Sequence, residues 1–100
     1  MAQTPEKKVK DKVVSILKNE GAYYFFPATH GYGRSGVPDV VACVDGLFLA
    51  IECKAGTNKL TALQAREIEN IRLAGGVAVV VNAENWDTLP ELIRKLKTRV

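Results

Sequence analysis

Two acidic residues and a lysine stand in a pattern that could support metal-ion chemistry. Asp39 begins one apolar run, Glu52 and Lys54 end the next, and Asp45-Gly46 separates the two runs. Asp-Gly between apolar segments is among the strongest sequence signals for a two-residue β-hairpin turn. The sequence therefore predicts two antiparallel strands that carry all three charged residues at one end.

The register of this hairpin predicts which side chains meet. With the Asp-Gly pair as the loop, Asp39 lies directly opposite Glu52, and such pairs have Cβ atoms about 4.5–5.5 Å apart on one face. Lys54 points to the same face. Opposed like charges are destabilising, and a divalent cation held by oxygen ligands would relieve them. A plainer alternative pairs Glu52 with Lys54 at a sheet end and leaves Asp39 capping a turn after Pro38. The three residues together, in an otherwise apolar hairpin, favour a site.

The elements that must position these residues follow the order α-β-β-β-α-β-α, which predicts an α/β fold. We expect a helix over 5–20, strands over 22–27, 38–44 and 47–54, a helix opened by the capping box 61–64, a strand over 77–81, and a terminal helix starting at residue 88. The β-branched run 77–81 is typical of a strand buried on both faces. Between the first two strands, the segment 28–37 has three glycines and predicts a flexible loop of functional interest.

Composition is compatible with one globular domain spanning residues 1–100. The chain has 47% hydrophobic and 25% charged residues, a net charge of +3 and a pI of about 9.0. This mild basic excess permits nucleic-acid binding without demonstrating it. No apolar run approaches the roughly 20 residues of a membrane span, and the N-terminus does not resemble a signal peptide. These features favour a cytoplasmic location.

The two cysteines predict neither a disulfide nor a zinc site. In the hairpin register, Cys43 and Cys53 lie on opposite faces, and a disulfide needs Cβ atoms about 3.5–4.5 Å apart. The chain has no CxxC pair, and its single histidine is His30. We expect free, buried thiols.

The motif residues resemble those of a known superfamily. Val37-Pro38-Asp39 followed by Ile51-Glu52-Cys53-Lys54 has the PD…ExK form of the PD-(D/E)xK nucleases. Together with Glu6 in the first helix, Gly36 before the first motif, and Leu60-Thr61 leading to Gln64, the pattern is similar to the VRR-NUC domain family of stand-alone viral or phage type. The resemblance covers nearly the whole chain. It implies a restriction-endonuclease-like core, in which a mixed central β-sheet is flanked by helices.

This resemblance also implies a metal site. Asp39, Glu52 and the backbone carbonyl of Cys53 would bind Mg²⁺ or Mn²⁺, and Glu6 would contribute from the first helix. Oxygen ligands suit such hard cations. Glu6 could instead interact only with the helix N-terminus, and Glu20 is an alternative acid on a similar helical face.

The remaining implied roles concern water and DNA. Lys54 would position or deprotonate the attacking water and offset phosphate charge, and Gln64 would orient Lys54 or that water. Gln64 would, however, cap a helix even in an inert protein. For DNA contact we nominate three residues of suitable chemistry, Arg34, His30 and Lys59. We expect the aromatic side chains of Tyr23, Tyr24 and Trp86 to be core or interface rather than base-stacking platforms.

Stand-alone members of this branch resemble homodimeric enzymes that act on branched DNA. The chain is therefore expected to be a metal-dependent, structure-selective DNA endonuclease, and specifically a Holliday-junction resolvase, whose two-fold dimer would supply two symmetric cuts. The alternatives are a restriction-like or nicking endonuclease, or a non-catalytic DNA-binding module with a nuclease fold. A metabolic α/β domain lacks support, because no glycine-rich phosphate loop follows a strand and opens a helix.

Overall fold

The computed structural model, which describes residues 3–28 and 33–99, contains a four-stranded mixed sheet with helices on both faces. The elements are α1 Pro5–Asn19, β1 Tyr23–Phe25, β2 Val40–Val44, β3 Leu47–Cys53, α2 Ala62–Leu73, β4 Val77–Val81 and α3 Leu89–Lys97, with a 3-10 turn at Trp86–Thr88 before α3. This confirms the predicted order and an α/β fold compatible with a restriction-endonuclease-like core. Among the residues described, none of the helices combines the length and apolar character needed to cross a membrane.

The sheet has the order β1-β2-β3-β4, and its first two pairings are antiparallel while β3 and β4 are parallel. In the hairpin, Val40 pairs with Ile51 and Val44 with Leu47, so the predicted register is confirmed. The turn residues Asp45 and Gly46 have φ values of 49° and 82°, as a two-residue type I′ turn requires. This register places the motif residues Asp39, Glu52 and Lys54 at the end of the hairpin opposite the turn.

Helices cover the two faces of the sheet unequally. Side chains alternate along each strand, so one face collects the apolar residues that α1 and α3 cover. That core contains Val9, Val13, Ile16, Leu17, Val40, Ala42, Val44, Leu49, Ile51, Cys53, Val81, Leu89 and Ile93. On the other face, α2 places Ile68 against Ala50 and Ala78, which forms a much smaller cluster.

Two burial expectations are wrong because of this arrangement. Within the described sheet β4 is an edge strand, so only Ala78 and Val81 of it are buried, whereas β3 pairs on both sides and is the buried strand. Cys53 is a buried free thiol as expected, but Cys43 is exposed. Cys43 pairs with Phe48 and Tyr23, which are 45% and 71% exposed on the same uncovered part of the sheet.

Gly36 fixes the loop that leads to the acidic motif against α2. Its φ is +78°, and a Cβ added there would lie 2.6 Å from the backbone carbon of Leu63 and 2.9 Å from the backbone nitrogen of Gln64. The main chain preceding Asp39 is therefore in direct contact with the first turn of α2. Only glycine permits both this close approach and this backbone conformation.

We expect Gly36→Ala to lower the free energy of unfolding by about 2–4 kcal/mol, because the new methyl group meets backbone atoms that cannot rotate away. Gly46→Ala is the matched control, since Gly46 has a similar φ of +82° but nothing within 4 Å of an added Cβ. The control should lose only about 1 kcal/mol. Urea denaturation of both variants measures the difference, and equal losses would contradict the close contact.

Candidate active site

The two motif carboxylates meet where β2 begins and β3 ends. Asp39 immediately precedes β2 and is half-buried, and its Oδ2 accepts a hydrogen bond of 2.8 Å from the backbone N–H of Cys53. Glu52 precedes Cys53 in β3 and is 3% exposed. Among the described residues it is the only charged residue that is buried. The predicted convergence of the two acids is therefore realised, and one of them is withdrawn almost completely from water.

Burial and proximity change the acidity of this pair. Desolvation, a hydrogen bond with Asp39 and the negative charge of Asp39 together raise the pKa of Glu52 to about 8. The ammonium of Lys54 opposes this rise, while the more distant charge of Glu6 adds to it. A buried carboxylate that retains a proton beside a second carboxylate is an arrangement that a bound cation would stabilise in its ionised form.

Lys54 follows β3 directly and is held beside the acids by the sheet. Its backbone N–H donates a 2.9 Å hydrogen bond to the carbonyl of Val81, which extends the parallel pairing of β3 with β4 by one residue. The side chain is half-buried. Since its charge acts on the pKa of Glu52, the structure brings Lys54 into the same site as the two acids.

A cleft of about 450 Å³ opens beside Asp39. It is lined by Thr4, Glu6, Lys7, Lys10, Asp11, Val14, Phe26 and Asp39. Glu6 lies in the exposed first turn of α1, which begins at the Thr4 cap. Glu6 and Asp39 therefore line one cleft.

Glu20, the alternative acid, is engaged elsewhere. Its carboxylate lies 3.0 Å from the guanidinium of Arg94 and 3.6 Å from the ammonium of Lys97, both on α3. It follows the C-terminal end of α1, about 21 Å along the helix from Glu6 at 1.5 Å per residue. Glu20 is thus a helix-to-helix ion-pair residue, and Glu6 is the acid of α1 that shares the cleft with Asp39.

The donor chemistry of the site fits a hard divalent cation. The available oxygen donors are the carboxylates of Asp39 and Glu52, the backbone carbonyl of Cys53 and, across the cleft, the carboxylate of Glu6. Mg²⁺ characteristically takes only one or two protein carboxylates and keeps several waters. Within residues 3–28 and 33–99, no group of three or more His, Cys, Asp or Glu side chains is arranged so that it could hold a metal ion.

Gln64 is held in the cap of α2. Its side-chain oxygen accepts a 3.0 Å hydrogen bond from the backbone N–H of Thr61, and the Thr61 hydroxyl accepts one of 3.2 Å from the backbone N–H of Gln64. The predicted capping box is confirmed. The capping box places Gln64 next to Gly36, which lies in the loop that leads to the acidic motif.

The nominated DNA contacts are dispersed. Arg34 is 70% exposed and lies 3.6 Å from the carboxylate of Glu67 on α2, away from the cleft that holds Asp39. Lys59 is exposed before α2, and His30 lies outside the described residues. Neither Arg34 nor Lys59 is among the described residues that line the Asp39 cleft.

Sequence reasoning missed two residues of the cleft, Lys10 and Phe26. Lys10 is half-buried and lines the cleft with Glu6. The spacing could have shown this, because residues four apart share a helix face. Tyr24 and Trp86 pack against the core as expected, whereas Tyr23 is 71% exposed and does not belong to it.

A mixed sheet flanked by helices, with two carboxylates and a lysine at the adjoining ends of two strands, defines a nuclease of the restriction-endonuclease-like superfamily. Residues 5–94 match the family described as archaeal Holliday junction resolvase (Hjc), and the chain belongs to this family. It is also 32% identical over 81 residues to "Putative nuclease p44" of Acyrthosiphon pisum secondary endosymbiont phage 1, covering 80% of this chain and 84% of that protein. The narrower VRR-NUC assignment stays a prediction.

Because the pKa of Glu52 is raised, we predict that the free energy of unfolding of the metal-free protein depends on pH. The folded value of about 8 lies above the ordinary value of 4.5. The stabilisation due to the retained proton is therefore complete below pH 4.5 and is lost as pH rises through 8. Glu52→Gln should stabilise the protein relative to wild type by about 1–3 kcal/mol at pH 9 in EDTA.

Urea denaturation between pH 4 and pH 9 measures this difference. Asp45→Asn, at the opposite end of the same hairpin, is the control and should show no such pH-dependent gain. A constant difference between Glu52→Gln and wild type at all pH values would contradict the raised pKa.

Proposed function

We propose that this chain is a metal-dependent, structure-selective DNA endonuclease, and that it resolves four-way junctions as a homodimer. The observation that carries the proposal is the buried pairing of Asp39 with Glu52 beside Lys54. An inert domain would gain stability by replacing this pair with apolar side chains. Membership of the archaeal Holliday junction resolvase family supports branched DNA as the substrate.

The metal would be Mg²⁺ or Mn²⁺, held by Asp39, Glu52 and the backbone carbonyl of Cys53, with Glu6 binding directly or through water. When bound, such a cation polarises the scissile phosphate and lowers the pKa of a coordinated water. The hydrogen bond from the Cys53 N–H to Oδ2 of Asp39 supports this role, because it fixes the orientation of the carboxylate.

The side chains beyond the metal ligands would bind and orient the reactants. Lys54 would hold a phosphate oxygen or the attacking water and offset the negative charge that develops during cleavage. Gln64, whose side-chain oxygen is already held by the Thr61 N–H, keeps an amide group that can donate to the water or to the substrate. Arg34, His30 and Lys59 would contact phosphates further along the DNA.

A homodimer would account for paired cleavage. Each chain offers one acidic pair, and two symmetric cuts across a junction require two sites related by a two-fold axis. The same chemistry without a preference for branched DNA would make the chain a restriction-like or nicking endonuclease, and a chain that binds DNA without cutting it would be the non-catalytic module.

We expect Glu6→Gln and Glu20→Gln to change different properties: the first weakens metal binding and the second lowers stability. Glu6→Gln should weaken Mn²⁺ binding several-fold with little change in stability, because Glu6 is exposed at the cleft. Glu20→Gln should lower the free energy of unfolding by about 0.5–1 kcal/mol through loss of its ion pairs and leave Mn²⁺ binding unchanged. Isothermal titration and urea denaturation measure the two effects. Weaker Mn²⁺ binding only in Glu20→Gln would assign the metal site to the other acid.

The nuclease activity is tested with labelled four-way junction and linear duplex of matched sequence, in Mg²⁺, Mn²⁺ or EDTA. We expect paired metal-dependent cuts in the junction, with a loss of about 10²- to 10³-fold in Asp39→Asn and in Lys54→Met, on the order of what loss of one preorganised catalytic group costs. Asp45→Asn should cleave like wild type, because Asp45 lies in the hairpin turn at the far end of the strands.

Three results would separate the proposals. Equal cleavage of linear duplex would remove the resolvase assignment and retain the nuclease. Cleavage unaffected by Asp39→Asn would refute the proposed site. Binding of junction with no cleavage in either metal would identify a non-catalytic module.

A further inference from the structure

An exposed aromatic ring lies in the same cleft as Asp39. Phe26 follows β1, is 47% exposed, and lines the cleft together with Asp39 and Glu6. A large apolar side chain that stays in solvent gives no folding energy for its exposed part. Its position at a cleft next to catalytic groups indicates a binding role.

The ring is held in a defined orientation. Tyr24, which packs against the main core, contacts Phe26 edge to face, with ring centroids 6.0 Å apart and an interplanar angle of 68°. The contact supports one side of the ring, and 47% of the side chain stays exposed. Phe26 is thus an ordered platform rather than a loosely attached side chain.

A lysine accompanies the ring. The ammonium of Lys10 lies 4.8 Å from the centroid of Phe26, and Lys10 lines the same cleft. Lys10 therefore shares the cleft with Phe26 and Asp39.

We propose that Phe26 and Lys10 form a nucleotide-binding platform, on which a base unstacked at a DNA branch point stacks on Phe26 while Lys10 binds the adjoining phosphate. This inference deepens the proposed function and rests on it. The cleft of about 450 Å³ falls within the range of sites that hold small ligands. Its combination of a π-face with a cation matches the two parts of a nucleotide, a planar base and an anionic phosphate.

The platform gives a physical basis for structure selectivity. In a continuous duplex, each base must be unpaired and unstacked before it can reach an aromatic ring, at a cost of a few kcal/mol. At a branch point the stacking is already interrupted, so this cost is smaller. A platform next to the acidic pair would therefore favour cleavage of branched DNA over linear duplex.

The test uses a junction that carries 2-aminopurine at the branch point, bound to the Asp39→Asn variant so that binding is measured without cleavage. Stacking on Phe26 should quench the fluorescence of the probe. Adding Phe26→Leu should abolish this quenching and weaken junction binding roughly 5- to 100-fold. Phe26→Trp should retain both, and Lys10→Ala should reduce the salt dependence of binding by about one phosphate contact.

The matched control is Phe48→Leu, also in the Asp39→Asn background. Phe48 is 45% exposed but lies at the start of β3, about 13 Å along the strand from Glu52 at 3.3 Å per residue. Its substitution should change neither quenching nor affinity. Equal behaviour of Phe26→Leu and Phe48→Leu would overturn the platform.

The platform and the nuclease can fail separately. If wild type cleaves the junction, and Phe26→Leu cleaves it as efficiently and as selectively as Phe48→Leu, the platform is overturned and the nuclease is retained. Probe quenching that depends on Phe26, in a chain that cleaves nothing, would support the platform and overturn the nuclease.

Discussion

The hydrogen bond from the Cys53 N–H to the Asp39 carboxylate is the interaction on which the rest of the site depends. It ties a residue that precedes β2 to the main chain of β3, at the position where the register brings Glu52 alongside. Without it, two negative charges at the end of a hairpin would repel and separate. With it, one carboxylate is fixed and the other is buried, which creates an acidic pair that favours a proton or a cation.

The surrounding helices maintain this geometry from two sides. α1 packs its apolar face on the sheet, and the ion pairs of Glu20 with Arg94 and Lys97 connect its C-terminal end to α3. The opposite end of α1 then presents Glu6 to the cleft. On the other face, α2 receives the loop before Asp39 through the close contact at Gly36. Both ends of the acidic motif are thus positioned by packing.

The hairpin and the helix caps could be predicted because their determinants are local. The Asp45-Gly46 turn requires two positive φ values and so fixes the register, and alternation along the strands then places Asp39 with Glu52. The capping box of α2 likewise depends on two residues three apart. The family resemblance came from the same short motifs, and the match over residues 5–94 bears out its superfamily level.

What only the tertiary structure decided depends on which elements cover one another. The sequence could not distinguish the central β3 from the edge strand β4, since the β-branched run lies in β4 while β3 carries a charge. It could not decide whether Glu6 or Glu20 belongs to the site, because the helical period places both on one side of α1. Their environments differ because Glu20 pairs with Arg94 of α3. The exposure of Cys43 and the positions of Lys10 and Phe26 in the cleft also depend on which elements cover one another. Local patterns determine register and caps, whereas burial is set by neighbours distant in sequence.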